Sequence, residues 1–183
     1  FPAADLQLPT NDIGGRIPVY FSLDGSVSGT ARRDNEIETP MLMQRFAIHP
    51  SIEIPLLRSS LLTMSHRFGA RETFYTHSVD AGVVGDRLNR GVVDYTVKIT
   101  GPQVEKKYGT WKHFVEPTIE YNYVAGADDF RKTIVVDETD LVTNTNEIEY
   151  GLTNRLFKNY EKVTWRVAQK MYFDPSFGGA LLP

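Results

Sequence analysis

Two-residue alternation of apolar and polar side chains, repeated along most of the chain, is the feature that most limits its fold. In one segment Val93, Tyr95, Val97 and Ile99 fall on one side, and Asp94, Thr96 and Lys98 on the other. In another, Val115, Pro117, Ile119, Tyr121 and Tyr123 oppose Glu116, Thr118, Glu120 and Asn122. Ile148, Tyr150, Leu152 and Leu156 oppose Glu147, Glu149, Thr153 and Arg155. Val163, Trp165, Val167, Met171 and Phe173 oppose Lys162, Thr164, Arg166 and Lys170. The first third follows the same rule through Val19, Phe21 and Leu23, then Phe46, Ile48, Ile52, Ile54 and Leu56, then Leu62, Met64 and Phe68. Successive side chains of a strand face opposite sides of the pleat, so each segment has one apolar and one polar face. No helical 3.6-residue period is sustained.

Turn signals separate these segments at Asn11–Gly15, Arg33–Glu36, 78–89, Lys107–Gly109, 125–144 and Lys158–Tyr160. Short turns thus alternate with longer polar stretches. The expected fold is all-β: an antiparallel up-and-down meander of about 7–8 long strands in a single domain over residues 1–183. Several strands are expected to run about 11–15 residues, against about 5–6 for a typical strand. Alternation alone leaves two architectures open. One is a soluble sandwich or small closed barrel with the apolar side inward. The other is part of a transmembrane barrel wall with the apolar side outward, an open curved sheet if isolated. The charged polar face, the strand lengths and the aromatics near strand ends (Tyr121, Tyr123, Trp165, Phe173) favour the second. Pro18, Pro50, Pro55 and Pro117 interrupt good strands, which means bulges or a weakened ladder.

Composition excludes several functions. The net charge is -3 with both signs spread along the chain, so no basic block points to nucleic acid. There is no cysteine, hence no disulfide framework, thiolate metal site or cysteine nucleophile. No window approaches the roughly 18 apolar residues of a membrane helix, but a spanning strand needs only about 9–11. The start at Phe1 lacks the features of a signal peptide, and both ends are expected to be cut.

Catalytic chemistry finds no support. His49, His66, His77 and His113 show no ligand spacing, and neither a nucleophile elbow nor a phosphate loop occurs. Glu116 with Glu120, and Glu147 with Glu149, share strand faces automatically, so their proximity carries no catalytic meaning. With Lys98, Arg155, Lys162, Arg166 and Lys170 on the same side they read as a charge-compensated surface. Asp128, Asp129, Asp137, Glu138 and Asp140 read as a solvated acidic loop, with a divalent-cation site as the alternative. The expectation is a non-enzyme without cofactor or metal.

The run His113-Phe114-Val115-Glu116-Pro117-Thr118-Ile119-Glu120-Tyr121-Asn122-Tyr123 resembles the H-x-x-E-P-x-x-x-Y-x-Y strand of the LptD (OstA) barrel family. The run from Asp140 to Leu156, with Asn146-Glu147-Ile148-Glu149-Tyr150-Gly151-Leu152-Thr153-Asn154-Arg155 in N-x-hydrophobic-x-Y-G-L-T-N-R form, is similar to that family's next stretch, and Gln169, Tyr172 and Phe173 to its Q-x-x-Y-F strand end. His49-Pro50-Ser51-Ile52-Glu53-Ile54-Pro55-Leu56, Leu88-Asn89-Arg90 and Gly101-Pro102 fit in order.

The resemblance implies a very large barrel in the outer membrane of a Gram-negative bacterium. It implies an LptE-like plug lipoprotein inside the barrel and a periplasmic Lpt bridge reached through an N-terminal domain missing here. Lipopolysaccharide would be delivered to the outer leaflet through a lateral seam, with outer-membrane lipid as the surroundings. The inter-domain disulfides known in some members cannot form within this chain. On this reading the lumen face carries Asp94, Lys98, Glu116, Glu120, Glu147, Glu149, Arg155, Lys162, Arg166 and Lys170. The lipid face carries Val93, Tyr95, Val97, Ile119, Tyr121, Trp165 and Val167. The alternatives are a small β-barrel module for a hydrophobic ligand and a porin-like passive channel.

Overall fold

The computed structural model describes residues 3–31, 39–59, 61–80, 82–127, 130–135 and 138–173. The turn expected at Arg33–Glu36 and the two chain ends lie outside them.

A strand that alternation did not mark, β1 (Ala3–Asp12), comes first, and the seven alternating segments become β2 (Tyr20–Thr30), β3 (Met43–Arg58), β4 (Thr63–Tyr75), β7 (Leu88–Thr100), β9 (Trp111–Ala125), β10 (Thr145–Lys158) and β11 (Tyr160–Tyr172). They form one antiparallel sheet in the order β1-β2-β3-β4-β7-β9-β10-β11. This is the expected meander. Among the described residues β1 and β11 do not pair, so the sheet is open. The apolar side chains are not enclosed: Val93 is 54% exposed and Val167 64%. A small closed barrel with an apolar interior is therefore not the architecture here.

Three short strands were not read from the sequence. β5 (Ser78–Asp80) and β6 (Val83–Gly85) make a hairpin inside the stretch expected to be loop. β8 (Val104–Tyr108) continues beside β9 where β7 stops. The break between β7 and β8 falls opposite Pro117. The Gly101 N–H donates to the Pro117 carbonyl at 2.8 Å. A residue's N–H and C=O point to the same neighbouring strand, so the donor that proline lacks is missing only toward this break. The ladder to β10 stays in register through Leu152 and Pro117.

The other prolines also have local explanations. Beside Pro55 the β3–β4 register slips by one residue, leaving Leu56 unpaired and putting Leu57 opposite Met64. Leu57, not Leu56, therefore continues the apolar row. At Pro50 the pairing to β4 lapses and resumes in the same register. Pro18 precedes β2 and interrupts no strand.

The connections differ between the two ends of the sheet. At one end the links are residues 13–19, residues 59–62, the β8–β9 turn at Gly109 and the single residue Asn159. Asn159 and Gly109 have φ of 67° and 61°, a region that asparagine and glycine adopt readily. At the other end residues 31–42, 76–87 and 126–144 connect the strands, the last two carrying the β5–β6 hairpin and two short 3-10 helices, Phe130–Lys132 and Glu138–Leu141. Here Met43, Tyr75, Val79, Leu88 and Ile134 form the buried apolar cluster.

Candidate functional site

The pair register extends the two faces across the sheet. Asp94, Lys98, Glu116, Glu120, Glu147, Glu149, Arg155, Arg166 and Lys170 share one face through β7, β9, β10 and β11. Lys162 is the extra residue of a bulge in β11, and its ammonium lies 3.4 Å from the centre of the Tyr160 ring. Val93, Tyr95, Val97, Ile119, Tyr121, Trp165 and Val167 share the opposite face.

The polar face is cross-linked by charge. The Lys170 ammonium donates to Glu147 at 2.8 Å and lies 3.7 Å from Glu149. Arg166 donates to Glu149. Gly151 leaves room for it: a Cβ there would stand 3.3 Å from two guanidinium nitrogens of Arg166. Asn122 donates to Glu120 at 3.1 Å and accepts from Thr96 at 3.0 Å. Lys98 stands opposite Glu120 in register. The cationic partners are exposed while Glu147 is buried, so these pairs compensate the charge of a face that is only partly open to water.

On β3, β4 and β7 the same face carries contacts that alternation did not reveal. The His49 imidazole pairs with the Asp94 carboxylate at 2.9 Å and meets the Arg71 guanidinium at 3.4 Å. His49 and Asp94 lie two strands apart, and Gly69 of β4 occupies the gap between them. A Cβ on Gly69 would sit 2.2 Å from Asp94 Oδ2 and 2.6 Å from His49 Nε2. Ser51 accepts from Arg67 at 3.3 Å and bonds Ser22 at 2.7 Å. His49, Arg67, Arg71 and Asp94 therefore form one polar tract. His66, on the apolar face, bonds the Tyr95 hydroxyl at 2.6 Å.

From the long segment 126–144, the described part around Asp140 lies on this polar face. Asp140 is fully buried. Its carboxylate accepts from Arg45 at 2.9 Å and from the Tyr75 hydroxyl at 2.8 Å, and its carbonyl accepts from Arg90 at 3.0 Å. Arg90 also donates to the Val142 carbonyl. Arg45, Tyr75 and Arg90 all project from the polar face. The expectation of a solvated Asp140 is thus corrected: two strands present basic side chains that take it out of water. Asp128, Asp129 and Asp137 lie outside the described residues. Among the described residues no group of three or more His, Asp or Glu side chains is arranged to hold a metal ion.

The apolar face carries ring contacts from β4 to the end of β11. Phe68 stacks on Tyr95 at 4.5 Å, and Tyr95 meets Tyr121 edge-on at 6.3 Å. Tyr121 meets Phe173 at 6.2 Å. Nearer the short-turn end His113 stacks on Trp165 at 5.6 Å.

No curated protein matches the chain. The family model described as LPS transport system D matches residues 1–176. With that match over nearly its whole length, the chain belongs to the LptD family.

Proposed function

We propose that this chain forms a stretch of the wall of the translocon that inserts lipopolysaccharide into the outer leaflet. The family's role is lipopolysaccharide transport, its place is the outer membrane of Gram-negative bacteria, and it is not a family of known enzymes. On this reading the apolar face meets outer-membrane lipid. The polar face lines the lumen, opposite an LptE-like plug lipoprotein and lipopolysaccharide in transit. The periplasmic bridge would reach the barrel through a domain outside this chain.

The observation that carries the reading is the burial of Asp140, from segment 126–144, against the polar face. Asp140 draws that segment onto the polar face, while the apolar face stays bare. Burying a charge beside a polar wall and leaving apolar side chains open suits a sheet whose apolar side has lipid as solvent. Strand span agrees. Tyr121 and His113 are eight positions apart on β9, between the two groups of rings. At about 3.3 Å per residue and a tilt of about 40°, that is about 20 Å of height, near the roughly 25 Å apolar band of membrane barrels. Short turns at one end and long segments at the other suit a periplasmic and an external side.

Photo-crosslinking residues placed in the membrane-inserted full-length protein test this. Positions 120 and 166 should give adducts with the plug lipoprotein or lipopolysaccharide. Positions 119 and 167 should give phospholipid adducts and none with the plug. Plug adducts from the second pair, or none from the first, would sink the reading.

A further inference from the structure

The apolar face changes character at its short-turn end. On the paired strands of that face cationic side chains occur only there. Val104 opposes Val115, Lys106 opposes His113 and Tyr108 opposes Trp111, so Lys106, Tyr108, Trp111 and His113 all continue the apolar face. The Lys106 ammonium lies 5.3 Å from the centre of the Tyr108 ring. From the adjacent hairpin the Lys158 ammonium lies 5.4 Å from the centre of Trp111. Lys162 stands over Tyr160. Two neighbouring turns therefore present three lysines, each on an aromatic ring, beside the His113–Trp165 stack. The nearby carboxylates are engaged elsewhere: Glu105 is 3.7 Å from Lys107, and Glu161 accepts from Thr164.

The geometry points to an anionic phospholipid headgroup as the occupant of this patch. Aromatic rings settle where apolar chain meets water, and lysine stems lie along apolar surface while the ammonium reaches the polar layer. A cation over a ring has part of its charge offset by the ring and keeps donors free for a phosphate oxygen. No carboxylate on this face competes for Lys106 or Lys158 among the described residues. A negative headgroup completes the arrangement by charge complementarity, as basic side chains do near a charged bilayer surface. The patch selects the lipids that border the short-turn side, and it thereby fixes the height of the wall in the bilayer. The inference rests on the reading that the apolar face meets lipid.

The test uses the full-length protein in phosphatidylcholine vesicles carrying a trace of spin-labelled phosphatidylglycerol or spin-labelled phosphatidylcholine. Paramagnetic resonance gives the fraction of each label immobilised on the protein. The parent protein should favour phosphatidylglycerol severalfold. The double variant K106Q/K158Q should lose at least about half of that preference. The variant K107Q/K112Q loses the same charge from the polar face, since Lys107 opposes Lys112 and Lys112 opposes Phe157. It should keep the parent's preference. No preference in the parent, no loss in K106Q/K158Q, or equal loss in both variants overturns the inference. A nitroxide at position 119 reads the underlying face separately. Relaxation by oxygen with unaltered lipid preference removes the headgroup site alone. Relaxation by a water-soluble nickel chelate removes the lipid-face reading itself.

Discussion

Gly69 sets the geometry of the polar tract at the scale of one residue. Its missing side chain lets His49 and Asp94 meet across β4, and the oxygen and nitrogen fill the space a Cβ would take. Substitution G69A has no cheap escape, because both near atoms belong to a mutual hydrogen bond. The pair must part, leaving a half-buried carboxylate short of a donor. We expect a loss of about 1–3 kcal/mol, read as a lower urea midpoint for the folded full-length protein. An unchanged midpoint would mean that the pair is not formed. D94N keeps the shape and removes the charge, so it should cost less than G69A. Little of this was legible in the sequence. Alternation put Asp94 on the polar side, but it cannot pair residues 45 positions apart, and nothing in the pattern marked Gly69.

Segment 126–144 shows what governs an element. Its limits were legible from its polarity and its turn residues. Its direction was not, because the groups that draw it inward are Arg45, Tyr75 and Arg90, supplied by β3, β4 and β7. A cluster of acidic residues reads as a solvated loop until the basic side chains that face it are placed. Replacing Asp140 with alanine removes one partner of the buried Arg45 guanidinium and the acceptor of the buried Tyr75 hydroxyl. Breaking a buried charge pair in this way costs about 3–5 kcal/mol. The cost should appear as release of the segment before loss of the sheet, since the strands keep their own ladders. Trypsin added to intact cells should therefore cut at the exposed Arg131 or Lys132 at least about tenfold faster in D140A, with the barrel's folded mobility on electrophoresis retained. Equal cleavage in parent and variant would show that Asp140 does not hold the segment. The phase slip at Leu56 teaches the same lesson in a strand. Pro55 marked a disturbance, but only the partner strand shows that Leu57 takes over the apolar row.

At the scale of the whole molecule, the two faces make opposite demands on the same substitution. Seven of the eight long strands and their meander order followed from alternation, because a period of two leaves a strand little other choice, whereas β1 and the short β5, β6 and β8 did not. Whether the sheet closes, and which side is wet, did not follow, because soluble and membrane sheets share that period. Membership of an outer-membrane family is what periodicity cannot supply, and the proposed direction of the two faces is open to direct test. Arginine introduced at Ile119 would replace a half-exposed apolar side chain between the two groups of rings. Facing hydrocarbon near the bilayer centre, it should cost about 2–4 kcal/mol. Arginine introduced at Thr153 enters the polar face between Glu116 of β9 and Arg166 of β11, both directly opposite it, so attraction and repulsion offset. It should cost no more than about 0.5 kcal/mol. Both are read as unfolding free energies of the full-length protein in phosphatidylcholine vesicles. In a soluble barrel with the apolar side inward the first cost would remain, so the pair alone does not separate the solvents. Transfer from vesicles to a detergent with a short chain does. Water reaches an arginine more easily through a thin, fluid micelle, so the Ile119 cost should fall there while the Thr153 value stays put. A cost at Ile119 that is the same in both media would mean that the apolar face is packed against protein, and the wall would have to be turned around.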